Sequence, residues 1–233
     1  MAASYVIERA CAANKSSEIA FAGDKVRLAG QIDYPQTAPP LGSGYPLVFT
    51  LHHAGWQSRH DYRHYAQIAL NSGYAIFRWD KRGMGRSGGS GRGSTTQDAV
   101  NAYETALSQD HIDRNRVVIL AQGEGTMMLG SAYGLFARIQ SPAGVILVGN
   151  MLDESAILAL NCPVQIIQGE HDWHLPSQYA LAAAACHAQT YDHGALFYVA
   201  RGASRDVTVG EGDEQTFHFG AAHTIHDWLK NLA

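Results

Sequence analysis

The stretch Val117-Val118-Ile119-Leu120-Ala121-Gln122-Gly123-Glu124-Gly125-Thr126 decides how this chain is read. A run of apolar, β-branched residues enters a tight glycine turn, and small residues follow that let a helix start close against the strand. This is the form of a nucleophile elbow, G-x-S-x-G, in which a strained turn lifts a serine hydroxyl to the top of a sheet. Here the first position is Ala121 and the central one is Gly123, so no nucleophile stands at the turn. An ordinary glycine turn between a strand and a helix is the competing reading, and the neighbouring segments bear on the choice.

Upstream, Gly44-Tyr45-Pro46-Leu47-Val48-Phe49-Thr50-Leu51-His52-His53-Ala54-Gly55 has the run of a fully buried strand entering a His/Gly loop. The segment Gly73 to Ser87 repeats the theme, with the strand Tyr74-Ala75-Ile76-Phe77-Arg78-Trp79 and the loop Asp80-Lys81-Arg82-Gly83-Met84-Gly85-Arg86-Ser87. Downstream, Cys162-Pro163-Val164-Gln165-Ile166-Ile167-Gln168-Gly169-Glu170-His171-Asp172 is another strand, ending near an acid. In order and separation these segments resemble the α/β-hydrolase family, specifically its compact dienelactone-hydrolase-like branch. The resemblance runs from about Ile19 to the end of the chain.

Composition fits one such domain. The 233 residues suffice for a single well-buried α/β core, and 46% hydrophobic with 16% charged residues is ordinary for a globular chain. A net charge of -4 gives no basic footprint for nucleic acid. No apolar run is long enough to span a bilayer, and Met1 to Ala10 lacks a basic-then-apolar leader pattern, so a cytoplasmic protein without membrane contact is the expectation. Cys11, Cys162 and Cys186 lack metal or disulfide spacing and are expected as free thiols, with Cys162 packed at a strand edge. The loop Gly83 to Gly89 lacks the G-x-x-x-x-G-K-[ST] order of a phosphate cradle. Asp80 and Arg82 are expected to stabilise that loop. His52, His53, His171 and His174 have no ligand spacing, so neither a metal nor a cofactor is expected.

The periodicity predicts an antiparallel hairpin over 19–34 turning at Ala22-Gly23-Asp24. Strands at 46–51, 74–79, 116–121, 143–149 and 163–168 alternate with helices at 62–72, 97–108 and 125–139, a last helix spans Ala221 to Leu229, and the family resemblance implies a further strand at 195–200. That alternation implies right-handed crossovers and a mostly parallel sheet with helices on both faces. One domain over 1–233, with an N-terminal extension at 1–18, is the expected organisation. The short link from Gly149 to Pro163 leaves no room for a cap domain. An open pocket for a small ligand is therefore expected at the carboxyl ends of the strands.

The family resemblance also assigns roles. It places Asp172 at the acid position of a Ser-His-Asp triad, and the vacant nucleophile position at Gly123. Its two oxyanion donors would be the amide of Glu124 and an amide near Ala54, with His53 in place of the usual glycine, where a side chain narrows the hole or enters the pocket. The catalytic histidine would lie in Arg201-Gly202-Ala203-Ser204-Arg205-Asp206, and Arg205 occupies that position. An arginine stays protonated and cannot act as a general base, but it can form a bidentate ion pair with Asp172. His218 or His223 could substitute as base, although the final helix should turn His223 and His226 outward. Residues 206–216 read as a flexible insertion. Trp56 and Trp173 are candidate walls of the pocket mouth.

Three functions remain open on these residues. One is a hydrolase-derived pocket protein with a nucleophile-independent reaction in which Glu124 acts as acid or base. Another is a non-catalytic binding or scaffold protein. A third is an esterase whose serine has been replaced by Gly123. A homo-oligomer is compatible with each.

Overall fold

A computed structural model describes residues 15–39, 43–55, 57–89 and 92–232. Cys11 and Trp56 lie outside the described residues. Strands β1 (Ser16–Ala22) and β2 (Arg27–Asp33) form the N-terminal hairpin, with Gly23 to Val26 as its turn. The first strand starts at Ser16, within the stretch expected to be an extension. Next come β3 (Tyr45–Leu51), α1 (Arg63–Asn71) and β4 (Ala75–Trp79), then α2 (Thr95–Leu107), β5 (Ile112–Gln122) and α3 (Glu124–Ile139). The chain continues through β6 (Gly144–Val148), β7 (Val164–Gly169), α4 (Ser177–Thr190) and β8 (Ala195–Ala200), and closes with β9 (Thr208–Val209), β10 (Thr216–Phe217) and α5 (Phe219–Leu232).

Eight strands form one sheet in the order β1-β2-β4-β3-β5-β6-β7-β8, parallel from β4 to β8 and antiparallel at the β1-β2-β4 edge. The period of two in each strand divides the core between the faces. Leu47, Phe49, Val117, Ile119, Val145 and Leu147 face α2, α3 and α4. Val48, Val118, Leu120, Ile146 and Ile167 face α1 and α5, where Ile225, Trp228 and Leu229 are buried.

Two expectations change. The Ala-rich helix α4 carries no strong apolar stripe and is not among the elements read from the sequence, yet Ala180, Ala183 and Ala184 pack against the sheet. Residues 206–216, read as a flexible insertion, contain the antiparallel β9-β10 pair, and His218 N–H donates to Val207 O at 2.8 Å. The link between β6 and β7 is a loop with one 3₁₀ turn, Ala156–Ala159, and no cap is built on it.

The loop after β4 is fixed by buried charge. Arg82 grips Asp98 of α2 through Nε–Oδ2 at 2.7 Å and Nη2–Oδ1 at 2.8 Å, with the side chains 6% and 1% exposed. Asp80 accepts from the amides of Arg59 and Arg86, so both residues hold the loop as its sequence suggests. Removing one partner of a buried pair strands the other charge. Asp98→Asn is accordingly expected to lower the unfolding free energy by about 3–5 kcal/mol, measured by urea denaturation.

Candidate functional site

The parallel strands end together, and the site is assembled from the loops that follow them. Gly123 caps the start of α3 at φ 52 and ψ -118, a left-handed conformation that glycine adopts at little cost. Its N–H donates to Val148 O at 2.9 Å, and its carbonyl accepts from the N–H and the hydroxyl of Thr126. A Cβ on Gly125 would meet the carbonyl oxygens of Leu51 and His52 at 2.7 Å, so the first turn of α3 can approach the end of β3 only because that residue is glycine. The sequence therefore builds a tight strand-to-helix turn with glycine at its centre.

His53 occupies the space that a nucleophile's side chain would need. A Cβ on Gly123 would overlap His53 Nδ1 and lie 2.6 Å from Cε1 and 2.8 Å from Cγ. The Glu124 N–H, the donor that follows the elbow, points at His53 Nδ1 at 3.2 Å. Because Nδ1 accepts, the neutral ring carries its proton on Nε2. Burial and the nearby Arg205 charge hold the His53 pKa below the ordinary histidine value, against the opposing pull of Asp206 and Glu124. The backbone of His53 is pinned on both sides, its N–H donating to Tyr62 Oη at 2.8 Å and its carbonyl accepting from Lys81 Nζ at 3.0 Å. Lys81 also donates to Gly55 O at 3.3 Å, so Ala54 sits between two gripped carbonyls.

His52 is buried beneath this loop. Its Nε2 lies 2.6 Å from Trp79 O, and burial lowers its pKa to about 3, so the ring is neutral. In the unfolded chain it titrates near 6.5. Stability from His52 is thus fully present above about pH 6.5 and is lost as pH falls toward 3.

The residues that the resemblance assigns to the acid and histidine positions do not pair with each other. Asp172, 8% exposed, accepts from Gln168 Nε2 at 2.6 Å and from the His174 N–H at 2.9 Å. Arg205 does not form the ion pair with Asp172 that its position suggested. The two residues do converge over Gly149, where a Cβ would lie 3.5 Å from Arg205 Cγ and 3.8 Å from Asp172 Oδ2. The guanidinium, however, donates through Nη2 to Met151 Sδ at 2.9 Å, and its Nε is buried without a partner. The C-terminal histidines are committed elsewhere. His218 Nδ1 accepts from the Ala221 N–H at the start of α5, and His223 pairs with Asp227 on the exposed face of that helix. Neither supplies a base to Gly123.

A cleft of about 440 Å³ opens beside this turn, with Leu51, Trp79, Met127, Met128 and Met151 as apolar walls and His53, Lys81, Glu124, Thr95 and the Arg82–Asp98 pair among the polar ones. Trp173 is not among these walls: it is 81% exposed, with its ring against His174. The Lys81 pKa is lowered by burial, with Glu124 opposing. Lys81, the three methionines and Gln168 were not singled out from the sequence; for Met127 and Met128 the available signal is their position just after the elbow.

Similar solved structures share this framework. An esterase of Pyrococcus furiosus superposes with a TM-score of 0.71 at 14% identity, covering 94% of this chain and 91% of its own. The chain has the α/β-hydrolase fold. A hydrolase of Xanthomonas campestris, described as an α/β serine hydrolase without a lid, gives 0.62 at 15% identity over 94% of this chain and 93% of its own. A predicted CIB-like hydrolase of Thermoplasma acidophilum gives 0.68 at 15% identity over 94% of this chain and 100% of its own. No family model and no curated protein matches the sequence.

Two outcomes follow from this geometry. Gly123→Ser is expected to lose about 1–3 kcal/mol of stability by overpacking against His53 and to gain no esterase activity. The double variant Gly123→Ser/His53→Gly should recover much of that loss, as read from a double-mutant cycle in urea. Below about pH 6.5 the wild-type unfolding free energy is expected to fall, His52 contributing up to ~1.4 kcal/mol per pH unit. His52→Asn should flatten that slope.

Proposed function

We propose that this hydrolase-fold protein binds a small, largely apolar ligand in the cleft beside the elbow without forming an acyl-enzyme. The observation that carries the reading is the His53 imidazole lying over Gly123 and accepting the Glu124 N–H. Acyl transfer through a serine needs a nucleophile, a base to deprotonate it and free oxyanion donors. In this chain the nucleophile position is glycine, the histidine position of the loop after β8 is Arg205, and the Glu124 amide is engaged. The filled space above Gly123 also favours a glycine that the site is built around over one that merely replaces a serine.

The cleft supports binding. Its volume lies within the range of about 300–1,000 Å³ usual for small-molecule sites. Met127, Met128 and Met151 give a polarizable, adaptable lining suited to a flat apolar group. Lys81 and Glu124 provide a polar end to orient it.

A second reading adds chemistry to the same cleft. The Glu124 carboxylate is exposed there and acts electrostatically on both His53 and Lys81. That arrangement favours a proton-transfer step with no covalent intermediate, in which Glu124 is acid or base.

The two readings are tested together. Incubation with a fluorophosphonate probe and with p-nitrophenyl acetate should give neither covalent labelling nor a burst, whereas calorimetric titration with 2-naphthamide should show saturable 1:1 binding that Met151→Arg abolishes. Covalent labelling would defeat the non-acylating reading. If any turnover is found, Glu124→Gln should remove it; turnover unchanged in that variant would sink the acid–base role.

A further inference from the structure

Among the described residues no carboxylate pairs with Arg205. Arg59, Arg78 and Arg82 each meet a carboxylate, whereas Arg205 meets only the thioether of Met151, a weak acceptor. Its Nε is buried and unpaired. A partly buried guanidinium left this way is costly unless something else completes its fork. The carboxylates nearest in the fold are already held by neutral donors: Asp172 by Gln168 and the His174 amide, and Asp206 by Gln122 Nε2 at 2.9 Å. Met151, which Arg205 touches, is itself a wall of the cleft.

His53 supplies the second observation. Its ring acts as an internal acceptor for the Glu124 N–H, the place an anionic oxygen would take. Its backbone is clamped by Tyr62 and Lys81, so the imidazole can leave by side-chain rotation while the loop stays in place. The charged groups around the ring are Arg205 and Asp206 from the loop after β8, Glu124 from α3 and Lys81 from the loop after β4.

We propose that the cleft selects aromatic carboxylic acids, with Arg205 pairing to the carboxylate while His53 turns aside and yields the Glu124 N–H to the same anion. The inference rests on the non-acylating cleft reading and names its ligand class. A carboxylate matches the planar fork of arginine, and the methionine-lined wall takes the ring. Protonation of His53 places a proton on Nδ1, which can then no longer accept from Glu124. The released imidazolium adds positive charge beside the anion, so acid binding takes up a proton and tightens as pH falls.

The test compares 2-naphthoate with its neutral isostere 2-naphthamide by calorimetry on the wild-type protein, Arg205→Gln and Arg205→Lys. The wild type is expected to hold the acid about tenfold more tightly than the amide. That ratio should fall below about threefold in Arg205→Gln and return in part in Arg205→Lys. Acid binding alone should strengthen between about pH 8 and pH 6, with proton uptake seen as a dependence on buffer ionisation enthalpy. Equal binding of acid and amide by the wild type, or a ratio preserved in Arg205→Gln, overturns the assignment to Arg205 while leaving the cleft reading intact. Acid binding with no pH response overturns the part given to His53. If neither compound binds, the cleft reading itself falls, and this inference with it.

Discussion

The close approach of the first turn of α3 to the ends of β3 and β6 is the constraint on which this end of the molecule depends. The Gly123 N–H reaches Val148 O, and Gly125 fits under the carbonyls of Leu51 and His52, where no Cβ has room. Thr126 closes the turn, its hydroxyl donating to Gly123 O and accepting from the Met151 N–H. Strand, turn and helix are thus tied to the loop after β6 by backbone groups that must be satisfied once buried. The positive φ at Gly123 is a product of this packing.

From that turn the positions of the site residues follow. The β3 loop has to pass over Gly123, and with a histidine at position 53 its side chain falls into the space above the glycine. A small residue there would leave that space and the Glu124 amide open. The two residues act as a unit, glycine making room and histidine filling it, so the missing Cβ at 123 and the ring of His53 are one structural fact. Close packing makes such an arrangement self-maintaining, because either change alone leaves a void or an overlap.

Much of the framework is legible in the sequence because buried parallel strands are written as nearly continuous apolar runs: Val117 to Ala121 is unbroken, and Leu47 to Leu51 and Val164 to Ile167 are interrupted only by Thr50 and Gln165. The helix α4 is harder to read, since a run of alanines packs without writing a stripe of large residues. At the site, the presence of His53 near the oxyanion donors can be read from its place after the strand. Which atom accepts from Glu124 cannot, because that depends on where Tyr62 and Lys81, from other segments, hold the His53 backbone and on the rotamer its ring then takes over Gly123. Arg205 and Asp172 show the same division. Sequence order brings them to one region, but whether they pair is decided by Gln168 and Met151, which reach the two charges first. Trp173 is read as a pocket wall only because an aromatic ring in a loop carries no mark of the direction it faces.

The electrostatics of the cleft end follow from the same substitutions. In a serine hydrolase arrangement a neutral histidine mediates between acid and nucleophile, and the acid's charge is balanced only as the imidazolium forms. With an arginine at that position the positive charge is permanent, and Asp172 turns to an amide and a backbone N–H instead. In this chain Asp172 and Arg205 are charges of opposite sign that do not pair. The carboxylate side of this arrangement is satisfied by hydrogen bonds, while the guanidinium has only a sulfur atom. That asymmetry leaves a positive charge behind Met151, a wall of the cleft, and it is the physical basis of the anion preference proposed above.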